Sequence, residues 1–412
     1  MKHALFINCI LIVGLGGCGK KGSSSLSEES KSLTKVELPE IPPPGVTRGP
    51  KITLAEARTV AKKLQAAVEA NDAEMVFRLI DLDNLIRHGM PNHLNGTQQE
   101  KQIVAGLRSN FDEMFVRNLN AGDYQFLSAS ETPDGAQSIM RVLSKDGGLN
   151  YHRLVLGRNT QNKPCVVDFF VYLSGEPLSH TFGRLITQSM PDTLSPDAKT
   201  RQAAKQFQDM TAALQKGNPA HALAIYGSLP PKWQKQKTIL QTRIMAASQV
   251  AASNAQKGQP MGDGYRKAVK DFQHAFPNAE NLALTLIDFY FLNEDFKRAR
   301  AAVDQLDKQV GGDPFLNLLR GNIALAQGKK QAAKDFFIQL TKDIPKNSAS
   351  YFALINLAMV DKDFKEVTRL LISTEGNTAI RFEPDFNGAD NFKEYVASPE
   401  NEKWKAYKRE KK

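Results

Sequence analysis

The sequence predicts a multidomain chain, in which an α+β domain is followed by an all-α helical-repeat region. Two observations predict this order. Between residues 51 and 190 the apolar residues first follow a helical period, and after Gly122 they alternate, with turn residues separating the alternating segments. Between residues 280 and 381 one pattern of small and apolar residues recurs with a step of about 34 residues.

The N-terminal residues have the layout of a secretory signal. Lys2 precedes an apolar stretch from Ala4 to Leu15, which is too short to span a bilayer as a stable anchor. The stretch ends in Leu15-Gly16-Gly17-Cys18, which resembles the lipobox of bacterial lipoproteins. The resemblance implies cleavage before Cys18, acylation of Cys18 and membrane attachment through its lipid. It also implies the outer membrane, facing the periplasm, because Gly19 rather than Asp follows Cys18. An ordinary signal peptide with an incidental cysteine is the alternative.

The next residues predict a linker and leave one cysteine in the folded chain. A serine run at 23–25 and a proline run at 42–44 contain too few apolar residues to form a core. With Cys9 in the signal and Cys18 lipidated, Cys165 stands alone, so the mature chain has no internal disulfide. Its apolar neighbours favour a small buried side chain in a strand over a nucleophile. The sequence shows no zinc-ligand spacing.

The α+β domain is predicted from its element order. Thr53 and Glu56 form a capping box at the start of a first helix. Second and third helices are expected at 75–86 and 98–119. Four antiparallel strands are then expected at 124–130, 137–144, 149–157 and 164–173. This order resembles the NTF2-like or cystatin-like architecture, in which a curved sheet wraps a long helix.

A catalytic pocket in this domain is the enzyme hypothesis. Some NTF2-like proteins use an Asp/His pair, and on this hypothesis His152 and Asp168 face each other across neighbouring strands, with Tyr172 and His180 as further candidates. A buried Asp168 would have a raised pKa and could act as a base. The competing and favoured interpretation is that Asp168 faces solvent or pairs with Arg153 on the adjacent strand.

The helical region is predicted from repeated offsets. The unit that begins at Pro314 contains Gly321, Ala333, Phe337 and Pro345. The units before and after it carry, at the same offsets, Ile287, Ala299, Val303 and Gly311, and then Ile355, Val367, Leu371 and Ala379. These offsets resemble those of the tetratricopeptide repeat (TPR), in which pairs of helices stack into a solenoid. A generic helical bundle with accidental spacing is the alternative.

The TPR resemblance implies a groove lined by the first helix of each pair. Its predicted partner-binding residues are Leu284, Asp288, Phe291, Phe315, Leu318, Asn322, Leu325, Phe352, Asn356 and Met359. Leu284 and Ala349 stand where a carboxylate-binding TPR would need Lys, so a peptide carboxylate is not the expected ligand. The groove is predominantly apolar. Either a partner protein or the chain's own tail, from Phe382 onward, would cover it.

Together these patterns predict a membrane-anchored, non-catalytic scaffold of the bacterial cell envelope. The expected partner is an unidentified protein bound in the TPR groove, with no cofactor, metal or nucleic acid. The alternatives are an enzyme or ligand binder that uses the α+β domain, and an accessory lipoprotein of an envelope assembly machine. The expected boundaries are 1–17 for the signal, 18–50 for the lipidated cysteine and linker, 51–190 for the α+β domain, 195–381 for the repeats, and 382–412 for a capping helix and basic tail. Ser398-Pro399, followed by Glu402, is the expected start of the last helix.

Overall fold

The computed structural model describes residues 50–411, except 92–93, 112–115, 121, 145–147, 190–197, 258, 260–261 and 387–388. The predicted signal, Cys18 and the linker up to residue 49 therefore lie outside the described residues, as do residues 195–197 at the predicted start of the repeats. The chain divides into two compact units, with the boundary between Phe289 and Tyr290. Within the described residues, no helix combines the length and the apolar character needed to cross a membrane.

The first unit begins with helices whose starts are set by capping side chains. These helices are α1 (Leu54–Glu69), α2 (Ala73–Leu79), α3 (Leu82–Gly89), α4 (Gln98–Phe111) and α5 (Arg117–Asn120). The Thr53–Glu56 capping box at α1 is confirmed. The single helix predicted at 75–86 is wrong, because Ile80 is extended and the Asp81 side chain caps a separate helix. The helix predicted at 98–119 is described as α4 and α5, with residues 112–115 outside the description.

An antiparallel sheet follows in simple sequence order. Its strands are β1 (Asp123–Thr132), β2 (Gly135–Leu143), β3 (Leu149–Arg158), β4 (Pro164–Val171) and β5 (Glu176–Pro177). The sheet therefore has five strands rather than the predicted four. The added strand is two residues long and pairs only with the end of β4, so it is too short to show an alternating pattern.

The helices pack on the sheet through one apolar core. Leu64 of α1, Leu85 of α3 and Phe169 of β4 are fully buried in it. The helix α6 (Leu178–Ser189) follows β5 and approaches α3 closely. A Cβ atom at Gly89 would lie 1.9 Å from the carbonyl oxygen of Ser179, so the two backbones meet without an intervening side chain.

Helices also make up the remainder of the first unit. They are α7 (Ala198–Gln215), α8 (Pro219–Ser228), α9 (Pro231–Gln234), α10 (Lys237–Gln256), α11 (Asp263–Ala275) and α12 (Leu282–Leu292), the last of which contains the unit boundary. Two polar contacts tie this region to the sheet. Arg153 of β3 pairs with Glu280 at 2.7 Å, and the Lys237 Nζ donates to the carbonyl oxygen of Gly175 at 2.6 Å.

The second unit continues the helical region and ends in a packed tail. Its helices are α13 (Phe296–Val310), α14 (Leu316–Ala326), α15 (Lys330–Asp343), α16 (Ser348–Val360), α17 (Phe364–Asn377), α18 (Lys393–Val396) and α19 (Pro399–Glu410). In the pair α14 and α15, a Cβ atom at Gly321 would lie 2.3 Å from the Phe337 ring. Gly321 therefore leaves room for Phe337, the buried aromatic residue of the same repeat.

Candidate functional site

Asp168 is buried, and both of its carboxylate oxygens accept hydrogen bonds from this chain. It is 1% exposed. Its carboxylate accepts hydrogen bonds from the Ser179 hydroxyl, from the Ser179 backbone N–H at 3.2 Å and from the Phe169 backbone N–H at 2.7 Å. Burial raises the pKa of Asp168, while the bonds from Ser179 and Phe169 act in the opposite direction. The favoured interpretation from sequence is wrong on both counts, because Asp168 does not face solvent and Arg153 pairs with Glu280.

His152 lies in an aromatic part of the core. The His152 ring meets the Tyr124 ring at 5.8 Å and the Phe169 ring at 6.0 Å, in edge-on contacts. Burial lowers the pKa of the imidazole from 6.5 to about 4, so it is neutral at neutral pH. The sheet register places His152 opposite Val171 and Asp168 opposite Val155, so the two candidates are not cross-strand neighbours.

The other candidates in the domain are held in separate surroundings. Tyr172 is buried between Tyr151 and Phe170, and burial raises its pKa. His180 is half-buried in α6, and burial lowers its pKa. Cys165 is buried in β4, as predicted, and burial raises the pKa of its thiol to about 12. Such a thiol is poorly suited to act as a nucleophile.

The described residues contain no group of three His, Cys, Asp or Glu side chains placed to hold a metal ion. Several of the acidic side chains instead serve as helix caps, as Asp81 and Asp363 do. Others form ion pairs within the chain, as Glu280 does with Arg153.

The ten predicted groove residues differ widely in accessibility. Leu284 in the first unit and Phe315 in the second are each 5% exposed, so their side chains are not available to a partner in this structure. Phe352 and Asn356 are exposed. The other six are half-buried: Asp288, Phe291, Leu318, Asn322, Leu325 and Met359.

The accessible residues form a row on α16. Phe352, Asn356 and Val360 are four residues apart, which places them on one face of the helix. Phe352 is 38% exposed and Val360 is 68% exposed. Val360 is not among the predicted residues, because the offsets that line the groove in the TPR family do not include it. Its spacing from Phe352 and Asn356 was the available signal.

The C-terminal tail packs on the last helix pair and reaches one end of this row. Trp404 and Tyr395 are fully buried in a core shared with α16 and α17. The Lys408 Nζ binds the Glu375 carboxylate at 2.8 Å, which fixes α19 to α17. The Phe382 ring meets the Phe352 ring edge-on at 6.0 Å. The tail thus contacts Phe352 while Asn356 and Val360 stay exposed.

The predicted start of the last helix is confirmed, with a different role for its first side chain. Ser398 is the N-cap residue and Pro399 follows it. The Ser398 hydroxyl donates to the Tyr395 carbonyl oxygen at 2.6 Å instead of capping the helix. It therefore ties the turn between α18 and α19.

No protein-family model matches this chain, and no curated protein sequence matches it.

Proposed function

We propose that this protein is a lipid-anchored scaffold of the bacterial cell envelope that binds a partner protein through the exposed row on α16, made of Phe352, Asn356 and Val360. The row carries the proposal because it presents apolar surface to solvent on a well-packed helix. Exposed apolar residues around a polar group that can bond to a backbone suit an amphipathic helix or an extended segment of a partner.

The TPR-like solenoid is part of the same proposal. The repeated offsets in sequence coincide with helix pairs in the second unit, since α14 packs on α15 and α16 packs on α17. The close fit of Gly321 against Phe337 gives one of these offsets a physical cause. An array of this kind needs a cap at its end, and the tail, with Trp404 and Tyr395, is suited to be that cap.

An enzymatic role for the α+β domain is less well supported. A general base needs a carboxylate that can reach a substrate proton. The Asp168 carboxylate is buried and already accepts hydrogen bonds from Ser179 and Phe169. We therefore assign Asp168 and Ser179 a structural role, which joins β4 to α6.

The partner-binding role is tested by changing the row without touching the core. Phe352→Asp combined with Val360→Asp should abolish binding of proteins that copurify with the native chain, because each change places a charge in the apolar contact. Ala301→Asp on α13, also an exposed apolar position, is the matched control and should leave binding unchanged. Equal recovery of the same partners with both variants would contradict the proposal.

The anchor is tested separately. Cys18→Ser removes the thiol that the lipid would occupy, so the protein should move from the membrane fraction to the aqueous fraction. Membrane fractionation after a high-salt wash distinguishes a lipid anchor from electrostatic attachment. Continued membrane association of the Cys18→Ser protein after that wash would exclude the anchor.

A further inference from the structure

We infer that the solvent face of α11 is a contact surface for anionic lipid headgroups. Arg266, Lys267, Lys270 and His274 are all exposed on this helix. At 3.6 residues per turn they fall within an arc of about 100°. The buried side chains of the helix occupy the opposite side: Tyr265, Ala268, Val269 and Phe272.

Among the described residues, no carboxylate lies within ion-pair distance of Arg266, Lys267 or Lys270. Asp271, the neighbouring acid, is paired with Arg243 at 2.6 Å. Asp263 lies in the same arc at the first position of α11, where its charge favours the helix N-terminus.

Three basic residues near the end of the chain, unlike those of α11, form ion pairs. Lys403 pairs with Glu400 at 2.7 Å, Lys405 with Glu402 at 3.3 Å and Lys408 with Glu375 at 2.8 Å. Three lysines of the C-terminal basic run are therefore paired with neighbouring carboxylates. The face of α11 retains its charge.

A lipid surface fits this face better than a protein partner does. Protein interfaces depend on a few apolar or aromatic anchors. The large exposed hydrophobic residues of the described chain are Met75, Phe352 and Val360, none of which lies on α11. A negatively charged bilayer needs no such anchor, since each Lys or Arg near its surface contributes independently.

The inference rests on the proposed anchor in one respect. A linker from Cys18 to Pro50 would keep the folded chain within roughly 100 Å of the bilayer. At that distance a weak electrostatic contact is strengthened by the high effective concentration of the tethered face.

The experiment removes the lipid so that only the charges act. Protein expressed from residue 18 with Cys18→Ser is sedimented with vesicles of phosphatidylcholine containing about one-third phosphatidylglycerol, and with vesicles of phosphatidylcholine alone, in low salt. We expect binding to the anionic vesicles only. Lys267→Gln with Lys270→Gln should weaken it about twentyfold. Lys403→Gln with Lys405→Gln, the matched control with the same change in charge, should weaken it less than about threefold.

Three results would overturn the inference: equal binding to both vesicle types, equal loss from both double variants, or binding to polyglutamate but not to anionic vesicles. The last would identify an acidic macromolecule as the ligand of this face. Circular dichroism of each variant verifies that the helices are retained. Because no acyl chain is present, a negative result leaves the Cys18 anchor untouched, and that anchor is tested by fractionation.

Discussion

Asp168 in the sheet and Phe352 on α16 are both unusual side chains for their positions, and they differ in solvent exposure. Asp168 is a charged residue in an apolar strand, and its carboxylate is buried and satisfied by Ser179 and Phe169. Phe352 is an apolar residue that is 38% exposed. The difference shows that an unusual residue marks a binding surface only where solvent or a partner can reach it. Asp168 should therefore matter for stability, and Phe352 for binding.

The largest difference in the free energy of unfolding is expected when two phenylalanines of the second unit are each replaced by Asp. Phe315→Asp should lower the free energy of unfolding by about 4 kcal/mol or more, because Phe315 is 5% exposed and the change leaves a buried charge. Phe352→Asp should cost about 1 kcal/mol, because Phe352 is 38% exposed and its edge contact with Phe382 is lost. Urea unfolding measures both. Equal losses would mean that the two positions do not differ in burial as described.

A smaller effect is expected at Asp168. Asp168→Ala should cost about 3 kcal/mol, because the hydroxyl and N–H of Ser179 and the N–H of Phe169 lose their acceptor. Asp168→Asn retains one acceptor oxygen and should cost less. Asn356→Ala on the exposed row, the counterpart with a free side chain, should change the free energy of unfolding by less than about 0.5 kcal/mol. A loss at Asp168 no larger than at Asn356 would contradict its structural role.

The dependence on pH should follow the buried histidine. The folded state holds His152 neutral, with its pKa lowered from 6.5 to about 4, whereas the unfolded chain binds the proton more readily. Stability is therefore fully present above about pH 6.5 and is lost as the pH falls toward 4, by up to about 3 kcal/mol. The raised pKa of Asp168 acts in the opposite sense, because its contribution is lost as the pH rises through the folded pKa.

Substitution separates these two contributions. His152→Phe preserves the aromatic contacts with Tyr124 and Phe169 and removes the titrating group, so the loss of stability between pH 6.5 and 4 should become smaller. Unfolding measured in urea across this pH range gives the result. An unchanged profile for His152→Phe would assign the acid sensitivity to other groups.

The sequence predicts local features of this fold well because they depend on nearby residues. The capping box of Thr53 and Glu56 and the last helix starting at Pro399 are both confirmed. The four longer strands lie close to their predicted positions, since alternation and turn residues determine them. The break at Ile80 was missed because the apolar spacing continues across it, and only the Asp81 cap interrupts the helix.

Features that depend on distant residues were not predictable in the same way. Ser179 of α6 donates to Asp168 of β4, and Gly89 and Gly183 let α3 and α6 approach closely. No spacing in the sequence encodes either contact. The burial of Phe315 and the exposure of Phe352 likewise depend on how helices pack, which the local spacing does not determine. The repeat offsets predict helices in the second unit but not which of their residues solvent reaches.

The most direct test of the scaffold proposal is site-specific photo-crosslinking in the native cell envelope, with the photoreactive residue at Asn356. The control position is Gln339, which is exposed on α15. We predict a discrete protein adduct at Asn356 that is lost when Phe352→Asp and Val360→Asp are introduced, and no such adduct at Gln339. The same adducts from both positions, or none from Asn356, would contradict the claim that this row binds a partner.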